Sequence, residues 1–189
     1  NALYWGDDDR ELAYSSDEKL LGGLCELLTS IQENAGVMKV REAILAEKER
    51  AFGAKSKEAG VALYDLGLAY GDLGDNAKRL AALERALPIC EREYGGDSVE
   101  VAGVLNGLSH AYGKLGDPPK KRDVLQRSLP IMEREHGKES TNVAVVLGNL
   151  GNAYGDLGDH AKQRNMLERA LAIQERTYGR DHAEVAATL

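Results

Sequence analysis

The chain is expected to fold as an all-α solenoid, a row of antiparallel helical hairpins stacked side by side. Three observations predict this. A block of 42 residues recurs, and 25 of the 42 positions in Ala59–Glu100 are identical at the matching positions of Val143–Glu184. Tyr70, Tyr112 and Tyr154 mark three copies in one register. Within each copy the apolar residues follow helical spacing and are interrupted by glycine at two fixed places. A period between about 20 and 50 residues marks a stacked array, in which each unit buries its apolar face only against its neighbours.

The first helix of each copy carries one apolar stripe: Leu63, Leu66, Tyr70 and Leu73, then Leu105, Leu108, Tyr112 and Leu115, then Leu147, Leu150, Tyr154 and Leu157. The turns follow at Gly74-Asp75, Gly116-Asp117 and Gly158-Asp159. Glycine suits a left-handed helix end, and aspartate suits the start of the next helix, where it accepts from free N–H groups. Pro118 falls at a first helical position, where its missing N–H costs nothing. The second helix places Leu83, Ala86, Leu87, Cys90 and Tyr94 on one face and stops at Gly95, with Gly137 and Gly179 as its counterparts. The next start signals are Asp97-x-x-Glu100 and Asp181-x-x-Glu184, both with capping-box spacing. Pro88 and Pro130 fall inside second helices, where a kink on the outward side is expected because proline removes a backbone hydrogen bond.

A worn copy precedes these three. Phe52-Gly53 lies one period before Tyr94-Gly95, Leu45 before Leu87, and Leu21 and Leu24 before Leu63 and Leu66. Ser15-x-x-Glu18 is placed to cap its first helix. The predicted organisation is an arm over 1–16, a degenerate hairpin over 17–58, repeats over 59–100, 101–142 and 143–184, and the start of a further repeat or capping helix over 185–189. With no initiating Met and an end inside a repeat, the chain reads as a piece of a longer protein.

Composition narrows the function. A net charge of −7 and a pI near 5.2 disfavour nucleic acid, which is bound through clustered Lys and Arg. No apolar run reaches the roughly 18–20 residues of a membrane span, and no signal-peptide layout is present. Cys25 and Cys90 stand at non-equivalent repeat positions and read as small buried hydrophobes, in keeping with a reducing compartment such as the cytoplasm or an organelle interior. His110, His136, His160 and His182 do not group with Cys or carboxylates at ligand spacing, so no metal is expected. No nucleophile–base pair, phosphate loop or paired catalytic carboxylates stand out, so neither an enzyme nor a cofactor is expected.

The string Leu63-x-x-Leu66-Gly67-x-x-Tyr70, with Leu83 and Ala86 after it, resembles the tetratricopeptide repeat. It departs from that pattern where the family's large first aromatic is Leu63, Leu105 or Leu147. The small residue early in the second helix is replaced by Arg79, Lys121 and Gln163, and the terminal proline by Glu91, Glu133 and Glu175. The long form is similar to the arrays of kinesin light chains and nephrocystin-3-like proteins. The resemblance implies a right-handed superhelix whose first helices line a concave groove, and a non-catalytic role in binding other proteins.

On that view the groove face carries Val61, Tyr64, Asp65, Leu68, Gly71 and Asp72, then Gly103, Asn106, Gly107, His110, Gly113 and Lys114, then Val145, Gly148, Asn149, Asn152, Gly155 and Asp156. Asn149 and Asn152 are placed to bracket a peptide backbone, since an amide both donates and accepts. Gly71, Gly113 and Gly155 recur inside helices at about 1 kcal/mol each relative to Ala. They read either as a smooth floor for a partner or as relief of crowding between hairpins. Asp65, Asp72 and Asp156 outnumber Lys114, which disfavours an acidic partner motif. The rival to a groove scaffold is an accessory subunit of a large assembly, held through Tyr4 and Trp5 of the arm together with Asp7–Asp9, and compatible with peripheral docking on a membrane complex.

Overall fold

The computed structural model describes residues 22–24 and 34–179. Residues 22–24 are helical. The helices that follow are α1 (Asn34–Phe52), α2 (Lys57–Asp72), α3 (Asn76–Tyr94), α4 (Val99–Lys114), α5 (Pro118–His136), α6 (Thr141–Asp156) and α7 (His160–Tyr178). Each packs on its neighbours in the chain, and α2 also touches α4. Tyr4, Trp5, Ser15-x-x-Glu18, Cys25 and the start signal at Asp181 lie outside the described residues. No described helix is long and apolar enough to cross a membrane.

Local chemistry accounts for the boundaries. Asp75, Asp117 and Asp159 cap α3, α5 and α7, accepting from the N–H of Lys78, Lys120 and Lys162 at 3.1, 3.1 and 3.2 Å. Gly74 takes φ +77°, which lets Asp75 N–H reach back to the Tyr70 carbonyl at 2.9 Å and close the end of α2. The expected cap at Asp97 is corrected by one residue. Ser98 accepts from Val101 N–H at 3.3 Å, as Ser56 and Ser140 do for α2 and α6. Asp97 stands one position too early, and its carbonyl instead accepts from Arg134. Helices α3 and α5 run unbroken through Pro88 and Pro130, which both lie on the exposed side.

Burial separates the two helix types. The 16-residue helices α2, α4 and α6 bury seven, nine and eight residues, whereas the 19-residue α3, α5 and α7 bury five, four and three. The former are therefore the inner helices, covered by their own partner and by the hairpin before. The second-helix stripe differs slightly from expectation: Ala82, Leu83, Ala86, Ile89 and Cys90 are buried, while Leu87 and Tyr94 are only half-buried. Leu83 has no exposure, and a Cβ on either Gly67 or Gly107 would stand within 2.8 Å of its methyl groups. It is wedged between the inner helix of its own hairpin and that of the next.

Polar contacts then repeat at every junction. Tyr70 and Tyr112 donate to Glu42 and Glu84 of the preceding hairpin at 2.5 and 2.9 Å, and Gln126 donates to Tyr154 at 2.7 Å. Lys78, Lys120 and Lys162 lie over those tyrosine rings at 5.2, 5.3 and 5.2 Å. On the outer helices Arg85 pairs with Glu49, Arg127 with Glu91 at 2.6 Å and Arg169 with Glu133 at 2.5 Å. Arg92, Arg134 and Arg176 each donate to a loop carbonyl of the hairpin before.

Tyr112 is 8% exposed at a middle junction, and Tyr112→Ala is expected to cost about 3–5 kcal/mol in denaturant unfolding. Arg127→Ala removes only a half-exposed ion pair, and less than about 1 kcal/mol is expected. A loss of similar size in both variants would contradict the core assignment. The second prediction concerns alkaline pH. Burial, and then the hydrogen bonds to Glu42 and Glu84, push the Tyr70 and Tyr112 phenols up to about 12. A pKa raised in the folded state stabilises below the unfolded value of about 10 and loses that contribution as pH climbs toward 12. Stability should fall across that window, and the Tyr70→Phe/Tyr112→Phe variant should flatten the slope in unfolding curves taken at pH 9 to 12.

Candidate groove on the inner helices

The inner helices leave one face uncovered. Val61, Asp65, Leu68, His110, Gly113, Lys114, Val145, Asn152 and Asp156 are exposed along it, and Tyr64, Gly71, Asn106, Asn149 and Gly155 are half-buried. All the sequence-predicted groove residues lie on the inner helices α2, α4 and α6. Tyr64 leans across to the next inner helix, where its hydroxyl stands 3.2 Å from the position of a Cβ on Gly103. Burial raises its phenol, with Asp65 acting in the same direction.

Asn106 is not free. Its amide oxygen accepts from Ser128 Oγ at 2.8 Å, and Ser128 is fully buried on α5. Its backbone carbonyl accepts from Ser109 at 2.7 Å. The residue therefore ties the two helices of the middle hairpin together, and only its amide N–H groups remain to meet a partner.

The glycine row is not a bare floor, which corrects one of the two expectations for it. A Cβ at Gly71 would meet the Arg79 guanidinium at 2.6 Å. At Gly155 it would meet the Gln163 amide at 2.5 Å, and at Gly113 the Lys121 stem at 3.2 Å. Each glycine makes room for the long side chain that replaces the usual small residue of the second helix. Two departures from the repeat pattern thus compensate one another. The crowding they relieve lies within a hairpin, not between hairpins.

This threading corrects the charge balance as well. Arg79 and Lys121 arise on the outer helices, so counting round the inner helix alone misses them. With Lys114 they set three cations against Asp65, Asp72 and Asp156. Partial desolvation and then the charges of Arg79, Lys121 and Lys114 hold the His110 imidazole below its usual range. Asp72 partly offsets Arg79, whose Nε is buried without an acceptor. At the first junction, partial desolvation raises the Asp65 carboxyl, and Arg41 and Lys48 pull it back. Those two cations stand where the next copy has Leu83 and Cys90, and Lys48 is 8% exposed. The balance of Arg79, Lys114 and Lys121 against Asp65, Asp72 and Asp156 is neutral, where counting on the inner helices alone left an excess of carboxylates.

Among the described residues no group of His, Cys, Asp and Glu is arranged to hold a metal ion. Cys90 is buried, which raises its thiol pKa. Family models of the tetratricopeptide repeat match residues 58–134 and 143–184, together more than half of the chain. The chain belongs to the tetratricopeptide repeat family. Its solved structural neighbours include a putative kinesin light chain of Podospora anserina with nearly identical repeats. That match has 17% identity, a TM-score of 0.76, and covers 92% of this chain and 82% of that one. BtubC (BKLC) of P. vanneervenii matches at 22% identity and a TM-score of 0.73, over 82% of this chain and 62% of its own. The apo form of RapI matches at 14% identity and a TM-score of 0.75, over 91% of this chain and 60% of its own. These likenesses establish the fold. This tetratricopeptide repeat chain spans less than two thirds of BtubC and RapI. No curated protein matches it.

The His110 environment leads to a stability prediction. A histidine whose pKa is depressed by folding favours the unfolded state once protonated, so stability should fall as pH drops below about 6.5. His110→Gln should lessen that fall in melts between pH 7.5 and 5, and an unchanged profile would place the imidazole elsewhere.

Proposed function

We propose that this chain is a non-catalytic protein-interaction scaffold that holds an extended partner segment along its inner-helix face. The segment carries an acidic side chain that sits near His110. The observation supporting this reading is that Arg79 and Lys121 thread onto the inner-helix face beside Gly71 and Gly113, where Lys114 also stands, flanked along the same face by exposed Val61, Leu68 and Val145. Apolar patches on both sides of a charged centre suit an extended chain with alternating chemistry. Asn149 and Asn152 face the same groove, and their amides are placed to meet its backbone. The kinesin light chain-like neighbours fit the same class of role.

A random-peptide display selection on the immobilised chain tests this. Acidic residues should be enriched among the binders, and Lys121→Glu should remove that enrichment. Gly113→Leu should abolish capture with the fold intact, because leucine is the better helix former and displaces only the flexible Lys121 stem. A partner complex lost on deletion of residues 1–16 but unaffected by Gly113→Leu would instead favour an accessory subunit docked through its arm.

A further inference from the structure

At the third junction two residues depart from the pattern of the two before it. A hollow of about 370 Å³ opens between α5 and the α6–α7 turn, lined by Arg122, Gln126, Tyr154, Leu157, Asp159 and Lys162. Four of these recur at both earlier junctions, as Tyr112, Leu115, Asp117 and Lys120 and as Tyr70, Leu73, Asp75 and Lys78. The other two do not. Arg122 stands where the earlier junctions have Leu80 and Met38, and Gln126 where they have Glu84 and Glu42. Met38 is buried and Leu80 packs against the core, so an apolar side chain at this position helps close the earlier junctions.

The two exchanges act in one direction. At the earlier junctions the tyrosine hydroxyl spends its proton on a glutamate, and that carboxylate would repel an anion. Here Gln126 Nε2 donates to the Tyr154 oxygen at 2.7 Å, which leaves the Tyr154 proton without an acceptor among the described residues. Arg122 uses Nε and Nη2 on Asp123, at 2.8 and 2.6 Å, and keeps its other donors. Lys162 pairs with Asp159 at 2.7 Å and has two N–H groups over. Among the lining positions a carboxylate has been removed and a guanidinium added, while Asp123, where the earlier junctions have Ala81 and Lys39, pairs with that guanidinium from outside the lining; donors from three elements remain round one cavity.

We propose that this hollow is a binding site for a phosphoryl group, held by Arg122, Lys162 and the Tyr154 hydroxyl. The phosphoryl group arrives either on a phosphorylated side chain of a protein partner or as a free small phosphate. The site lies at the turn edge of the solenoid and is separate from the inner-helix groove. Its specificity comes from two residues that distinguish one junction from its sisters, so those sisters serve as internal controls.

Calorimetric titration with inorganic phosphate, a short glycine-flanked phosphoserine peptide and its unphosphorylated form tests the proposal. Phosphoserine peptide, phosphate or both should bind at one site with millimolar or better affinity, and the unphosphorylated peptide should not bind. Arg122→Leu/Gln126→Glu rewrites the hollow as a sister junction and should weaken binding at least about tenfold, the scale of losing one charge-assisted contact. Because both new residues already serve at equivalent positions, the fold should persist, and circular dichroism checks this. Leu80→Arg/Glu84→Gln should in turn raise the stoichiometry toward two. A peptide preferred over free phosphate identifies a protein source, and equal binding identifies a small phosphate. Absence of binding by both phosphorylated probes, or binding unchanged in the Arg122→Leu/Gln126→Glu variant, overturns the proposal.

Discussion

A two-helix hairpin cannot cover its own inner helix, and everything else in this chain follows from that shortfall. An inner helix such as α4 has apolar residues on two sides, Val104 and Leu108 among them, that need different neighbours. One side is covered by α5 and the other by α3 of the hairpin before. Leu83 makes the dependence concrete, because it fills the space over Gly67 and over Gly107 at the same time. Removing either hairpin would expose it. Stability is therefore a property of junctions, as expected of quasi-linear arrays.

The polar contacts are subordinate to that seam but give it register. Lysine over the tyrosine ring and arginine to glutamate recur at the same spacing as the leucines, and tyrosine to glutamate recurs at the first two junctions. A slip by one turn would break all of them together. The outer ion pairs are half-exposed and worth little singly.

The worn first copy marks where this pattern loosens. Arg41 and Lys48 occupy positions that are apolar in the next two copies, and Asp65 faces them where α4 has Gly107. Charged side chains stand here where the later junctions have an apolar wedge. Charges cost desolvation on burial and regain it only through partners, while Met38 and Leu45 still pack into the core at this end. At the third junction Arg122 pairs instead with Asp123 of its own helix, and Gln126 meets Tyr154.

Much of the fold was legible in the sequence because its causes are local. Helical spacing, the Gly-Asp turns and the tyrosine register each act within a few residues, and the helices α2 to α7 begin and end where those signals stand. The exposed inner face was legible in large part, since counting round a helix requires only its period, but Gly107, counted onto it, is buried against Leu83. The occupants of that face required the tertiary structure. Arg79, Lys121 and Gln163 reach it from the outer helices, because glycine at 71, 113 and 155 leaves room for them. Asn106 is withdrawn from it by Ser128, 22 residues away. Sequence by itself determined the repeat, its helices and its apolar stripes, which are short-range consequences of backbone geometry. Only the tertiary structure decided the charge and shape of the groove and the hollow at the third junction, because both are built by side chains that meet across separate helices.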